Sequence, residues 1–430
     1  MEGNVRRSLD EFLAAHGPEL IAFRRDLHAH PEPGQAEHRT TRAIAERLAA
    51  AGLDPVVLPG GTGLLADIAA AENPYPERTV VALRADLDAL PMDDEKDVPY
   101  RSTVTGACHA CGHDVHTTVV LGAGLFLADQ ARAGLLPGPV RLIFQPDEEG
   151  STGARDVIAA GGLASVGRIF AVHCDPRLDV GKLGIRSGAI TAACDHIKVR
   201  VRGPGGHTAR PHLTADVVYA LGKVVTELPA ALSRRVDPRS SLSLVWGRIS
   251  AGSAANAIPD EGIAEGTVRC LDNEAWEAAP ALFEELVQSV AGAYGAAVEL
   301  TYCRNVPATV NEPASAAMFA TGAESVLGPD GVMPTQQSLG GEDFAYYLDC
   351  VPGALARLGT RTPGAADDAD LHQPSFDVDE RAIGVGTRVM VATALTALWH
   401  GAAAPEPPEP AGPAGPPARG SLAGAAEGER

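Results

Sequence analysis

The chain has 430 residues, 45% of them hydrophobic, and a formal charge of −20. The length favours two domains, and the apolar content fills a sizeable core, which excludes a generally disordered chain. The acidity argues against a nucleic-acid surface and suits a protein that meets small molecules.

The N-terminal stretch "MEGNVRRSLDEFLAAHG" has acids where a signal peptide needs an apolar core. A cytoplasmic protein is expected. "SLDEFLAAHGPELIAFRRDLHAHPE" reads as a helix ending near Pro31 and Pro33, and "RTTRAIAERLAAAG" as a second one closed by Gly52. Three apolar runs of strand length follow: "TVVALRAD" (79–86), "PVRLIFQ" (139–145) and "RIFAVH" (168–173). Helical segments lie between them, such as "HTTVVLGAGLFLADQARAG" after His116. This alternation predicts an α/β domain with its sheet covered by helices on both faces.

From about Ala192 the texture changes. "DHIKVRVRG" alternates apolar and polar residues, as a strand solvated on one face does. A helix over about 213–228, the strand "SLSLVWGRIS", "EGIAEGTVRCL", the helix "NEAWEAAPALFEELVQSVAGAYG" and the strand "AVELTYC" complete a β-α-β-β-α-β order. That order predicts a ferredoxin-like α+β unit. After Arg304 the α/β texture resumes, through "ALARLG" to the last helix, "ERAIGVGTRVMVATALTALWH". The expected organisation is a discontinuous domain (1–190 and 304–401), an insertion (191–303) and a Pro/Ala/Gly-rich disordered tail (402–430). No run long and apolar enough to cross a membrane is read in the chain.

Ligand-type residues gather at the predicted strand ends. Asp86 and Asp88 follow the first α/β strand, Asp147, Glu148 and Glu149 the next, and His173 ends another. "CHACGHDVHT" precedes a helix, and His372 lies in a late loop. In an open α/β sheet such ends converge on one site. Thiolate, imidazole and carboxylate together suit zinc, manganese, cobalt or nickel. Each piece has a bland alternative. Cys108 and Cys111 form a CxxC that could be redox-active or half of a structural zinc site, but there is no second CxxC. The acidic triplet could be a solvated turn, and His173 an ordinary buried histidine. Their joint placement outweighs these readings.

Seven motifs stand in order: "LRADLDALP", "HACGHDVHT", "FQPDEEG", "GPGGHTARPH", "NAIPD", "SLGGEDFAYY" and "LHQPSFDVDE". With them the chain resembles the metallo-aminoacylase and carboxypeptidase G family, in the branch of hippurate hydrolases and auxin-conjugate amidohydrolases. The resemblance implies a zinc-peptidase-like catalytic domain and an inserted lid and dimerisation domain. It implies two divalent metal ions bridged by the Cys111 thiolate, with His113, Glu149, His173 and His372 as the other ligands. Glu148 matches the general base, while Asp86 and Asp88 match residues that orient ligands. His207 matches the histidine that reaches the partner subunit's site, and Asn256 and Arg269 match residues that meet substrate. The implied activity is hydrolysis of small N-acyl amino acids by a homodimer. A dipeptidase or aminopeptidase activity, or a non-catalytic metal-binding protein, are the alternatives. Departures from the branch are Cys108, Val115, Cys174 and Asp147, the last expected to add negative charge to the site.

Overall fold

A computed structural model describes residues 3–70, 80–365 and 369–400. The expected tail from Gly401 lies outside the described residues. Helices α1 (Gly3–Ala29) and α2 (His38–Ala50) come first, then strands β1 (Val56–Val57), β2 (Leu64–Ile68) and β3 (Val80–Asp86). Next are α3 (His113–Arg132), β4 (Val140–Gln145), α4 (Gly153–Ala159), β5 (Val166–Asp179), β6 (Leu183–Ile185) and β7 (Gly188–Ala189). A compact run follows: β8 (Ala193–Arg202), β9 (Gly206–His207), α5 (Val217–Arg235), β10 (Ser243–Ala251), β11 (Ala257–Ile258), β12 (Glu261–Cys270), α6 (Asn273–Gly292) and β13 (Ala297–Val306). The last elements are β14 (Val310–Asn311), α7 (Pro313–Leu327), β15 (Val332–Pro334), α8 (Ala345–Leu348), β16 (Gly353–Arg361) and α9 (Arg381–His400).

Eight strands form one mixed sheet in the order β1-β2-β4-β3-β5-β16-β6-β15. Its centre is parallel: β3 pairs with β4 and β5, and β5 with β16. Apart from a half-buried residue at one end, every residue of β3 and β16 is buried. This is the signature of strands covered on both faces, and it explains their uninterrupted apolar composition. Leu83, Phe144, Phe170 and Leu358 pack one face against the first three helices, α7 and α9. On the other face Ala82, Ile143, Ile169 and Leu355 meet Val157 of α4 and Tyr347 of α8.

The expectation of no membrane-length apolar run fails at α9. Its residues Arg381–Trp399 are long and apolar enough by composition, but most of that window is buried in the protein. Val389, Met390, Ala394 and Leu398 belong to the core. A helix apolar on nearly all sides is here a core helix.

The run from β8 to β13 makes a second, antiparallel sheet in the order β10-β12-β8-β13. Taken by chain position this is second-third-first-fourth, the split βαβ arrangement. Burial alternates strictly along β12, so one face packs and the other is solvated. Phe283 and Leu286 of α6 and Leu221, Val224 and Leu228 of α5 cover the packed face. The helix expected at about 213–228 is α5, which begins later. Asp216 caps it by accepting the Tyr219 N–H, and Pro211–Leu213 forms a separate 3-10 turn.

Candidate metal centre

The parallel strands end on one side of the main sheet, and three of them bring chemistry there. Asp86 is the last residue of β3, with Asp88 two residues on; Glu148 and Glu149 follow β4 in a tight turn; His173 lies within β5. The turn after β4 uses left-handed backbone at Asp147 (φ 48°) and Ser151 (φ 59°), and His372 is also left-handed (φ 63°). Cys111 and His113 flank Gly112, whose φ of 86° starts α3. A Cβ there would lie 2.7 Å from the Cys174 sulfur, so backbone conformation and packing both require glycine.

Cys111, His113 and His173 place ligand atoms within 4.8 Å of one another, and so do Cys111, Glu149 and His372. Cys111 belongs to both groups. The tautomers are set from behind. His113 Nδ1 lies 2.9 Å from the Asp88 carbonyl, and His173 Nδ1 lies 2.8 Å from the Cys174 carbonyl. Both rings therefore carry a proton on Nδ1, which leaves Nε2 as the nitrogen available to a metal. The buried His113 Nε2 has no hydrogen-bond partner.

The donor set fits divalent ions. The Cys111 and Glu149 side chains raise the His372 imidazole to about 10, so this end of the pocket attracts positive charge. Burial pushes the Cys111 thiol up, and a thiolate there needs a cation beside it. Cys111, His113, Glu149, His173 and His372 would hold the metal.

Glu148 sits beside these atoms, its Oε2 3.9 Å from His113 Nε2. The Asp343 backbone N–H faces its other oxygen at 3.4 Å. Burial, then the neighbouring carboxylates Glu342, Glu149 and Asp343, push the Glu148 carboxyl well above the usual range. Beneath it, Arg84 binds Asp86 at 2.7 Å, Asp343 at 2.9 Å and Gln145 at 2.8 Å. Arg84 is thereby fully hydrogen-bonded in the core, as a buried charge must be.

The cavity in front of the cluster measures about 380 Å³ and is lined by Cys111, Glu148, Glu149, His173, His372 and Arg269, among others. Asp86 and Asp88 lie behind the ligands rather than in the cavity. Asn256 and His207 are brought together elsewhere: Ala257 pairs with His207 across β9 and β11, where His207 and Asn256 are exposed. Neither lines the cavity. Asp147 also departs from expectation. It faces Gln35 and Thr152, away from the cavity, because its left-handed backbone turns the side chain back toward α4. Cys108 is buried with its sulfur 3.6 Å from Lys96 Nζ, likewise outside the cavity.

Sequence reasoning missed three residues. His116 stands three residues after His113, on the same helical face. Its Nδ1 meets Asp86 at 2.6 Å, and its Nε2 accepts the Cys174 N–H at 2.8 Å. With both nitrogens used it supports the site and has no lone pair for a metal. Asp343, in "SLGGEDFAYY", carries the hydrogen bonds under Glu148. Arg357 lines the cavity from β16, and its signal was a lone charge inside the apolar run "ALARLG".

Comparison with known proteins shows the family. Residues 82–396 match Peptidase family M20/M25/M40. A Rhodococcus jostii protein named as a glutamate–cysteine ligase is 46% identical over 374 residues, which cover 87% of this chain and 46% of that protein. The chain thus spans about half the length of that relative. The N-acetylcysteine deacetylase of Bacillus subtilis is 36% identical over 380 residues, 88% of this chain and 97% of the relative. Among solved structures, the Bacillus subtilis YXEP protein, a dinuclear metal binding peptidase, superposes with a TM-score of 0.79 at 33% identity. That match covers 90% of this chain and 99% of the other. The chain belongs to the M20/M25/M40 peptidase family.

Proposed function

We propose that the protein is a metal-dependent amidohydrolase that cleaves the amide bond of small N-acyl amino acids or related conjugates. The observation that carries this reading is Cys111, shared by two ligand groups, with the buried carboxyl of Glu148 beside them and Arg269 in the same cavity. The mixed sulfur, nitrogen and oxygen donors suit zinc, manganese, cobalt or nickel. Two divalent ions held there supply Lewis acidity for an amide carbonyl and acidify a water.

The chain's own residues do the rest. Glu148 takes the proton of the attacking water and returns it to the departing nitrogen. Its raised proton affinity suits a group that takes up a proton and hands it on. The Asp343 N–H and the Arg84 network keep the carboxyl aimed. Arg269 pairs with the substrate carboxylate, for which a guanidinium is the natural bidentate partner.

The β8–β13 unit is assigned the role of lid and dimerisation domain. His207, exposed in its own chain, then acts in the partner subunit's cavity, and Asn256 stands beside it. A cytoplasmic homodimer is part of this reading.

The test is metal analysis together with a matched assay. About two transition metals per chain in the wild type, lost in Cys111→Ala, and turnover of N-acetyl- or N-benzoyl-amino acids above matched dipeptides support it. A preference for dipeptides replaces acylase by peptidase. Metal binding without turnover of either class leaves only a binding protein.

A further inference from the structure

Arg357 lies on β16 directly beside His173 of β5 in the parallel register. Register neighbours share a face of the sheet, so its side chain leaves toward the metal cluster. It is only 6% exposed, and it lines the same cavity as Cys111, Glu149 and His372. Its buried Nε has no hydrogen-bond partner.

The two carboxylates whose charge acts on Arg357, Glu342 and Asp175, are already engaged by other cations. Glu342 lies 3.2 Å from Arg84, and Asp175 holds Arg177 through both carboxylate oxygens at 2.9 and 2.7 Å. Among the described residues no carboxylate lies within 4.0 Å of the Arg357 guanidinium. A buried, unpaired guanidinium is costly unless an anion completes it. Arg269 enters the cavity from β12; it is half-buried, and its buried Nη1 likewise lacks a partner. One amino-acid carboxylate satisfies one guanidinium bidentately. Two unpaired guanidinium groups, delivered by different sheets, therefore call for two anions.

We propose that Arg357 forms a second anion subsite, and that the preferred substrates are N-acyl amino acids carrying a second carboxylate besides the one that meets Arg269. This rests on the amidohydrolase reading. The second carboxylate belongs either to the amino-acid side chain or to the acyl chain, and isosteric charged and neutral pairs separate the two.

The experiment measures kcat/KM for the metal-loaded full chain on N-acetylglutamate against N-acetylglutamine, and on N-succinylalanine against N-succinamoylalanine. N-acetylalanine serves as the reference. The expected result is a preference of at least tenfold for the acid in one pair, which identifies the source. In Arg357→Gln that charged-to-neutral ratio falls at least tenfold, and Arg357→Lys retains part of it. Ratios within threefold of one in both pairs, with N-acetylalanine turned over, overturn the subsite alone. An unchanged ratio in Arg357→Gln does the same, as does an equal loss for all substrates, which reassigns Arg357 to the ordinary carboxylate. No turnover of any of the five or of N-benzoylalanine overturns the amidohydrolase reading and the subsite with it, whereas turnover of N-benzoylalanine alone overturns only the subsite. If the variants do not fold, competitive inhibition of the wild type decides. Glutarate should inhibit at least tenfold better than glutaramate, and parity of the two overturns the proposal.

Discussion

Asp88 holds His113 twice: the imidazole Nδ1 lies 2.9 Å from the Asp88 carbonyl and 3.2 Å from its carboxylate. The second carboxylate oxygen accepts the Glu149 N–H at 3.0 Å. A single side chain and carbonyl, two residues past β3, thus fix the ring on α3 and the turn after β4. Partners of this kind hold a ligand's tautomer and direction. Asp88→Ala is expected to weaken metal binding about 10- to 100-fold. Titration of the metal-stripped protein with zinc measures this, and an unchanged affinity would remove Asp88 from the support of the site.

Glu148→Gln keeps the shape of the side chain and removes its basicity. The kcat for an N-acyl amino acid should fall about 10²- to 10⁴-fold, the usual contribution of a positioned acid–base group. Metal content should stay at the wild-type level. Loss of metal in this variant would make Glu148 a ligand instead.

Below the site, Arg24 Nε lies 2.7 Å from the Asp114 carboxylate, and His28 Nδ1 lies 2.7 Å from the same oxygen. All three side chains are buried. Burial alone would raise the Asp114 carboxyl, but Arg24 and His28 hold it well below the usual range. Arg24→Ala removes the larger of the two partners that compensate that charge and should cost about 3–5 kcal/mol in urea unfolding at neutral pH. A depressed acid stabilises the fold above its unfolded pKa of about 4 and loses that contribution as pH falls further. The gap between wild type and variant should therefore shrink at pH values below about 4. A gap constant with pH would detach the loss from Asp114.

Gly112→Ala puts a Cβ at left-handed backbone and 2.7 Å from the Cys174 sulfur. Strain of about 1–3 kcal/mol is expected. Because Gly112 lies between Cys111 and His113, metal affinity should fall along with thermal stability. Gly134→Ala is the control. It has a similar φ of 71° but open space around the added carbon, so it should lose stability without losing metal. Equal metal loss in both would contradict a local effect at the centre.

The sequence alone determined the α/β class, the split βαβ unit and the grouping of chemistry at strand ends. Those features follow from periodicity and from residues close in the chain, such as the buried run of β3 or the alternation along β12. It also brought Cys111, His113, Glu148, Glu149, His173 and His372 forward as candidates, by their grouping near predicted strand and helix ends or, for His372, in a late loop, and by the ordered motifs that carry the family resemblance. What it could not decide was which of two neighbouring histidines keeps a free nitrogen. His113 does and His116 does not, because β5 brings the Cys174 N–H against the His116 ring from 58 residues away. It could not see that Asp147 turns away from the site, which depends on a left-handed backbone angle. Nor could it see that Arg357 stands beside His173, since β16 is separated from β5 by the whole second unit and meets it only in the sheet. Local patterns are set by neighbours in sequence. A lone pair, a turned carboxylate or an unpaired guanidinium is set by partners that only the folded sheet order brings within hydrogen-bonding reach.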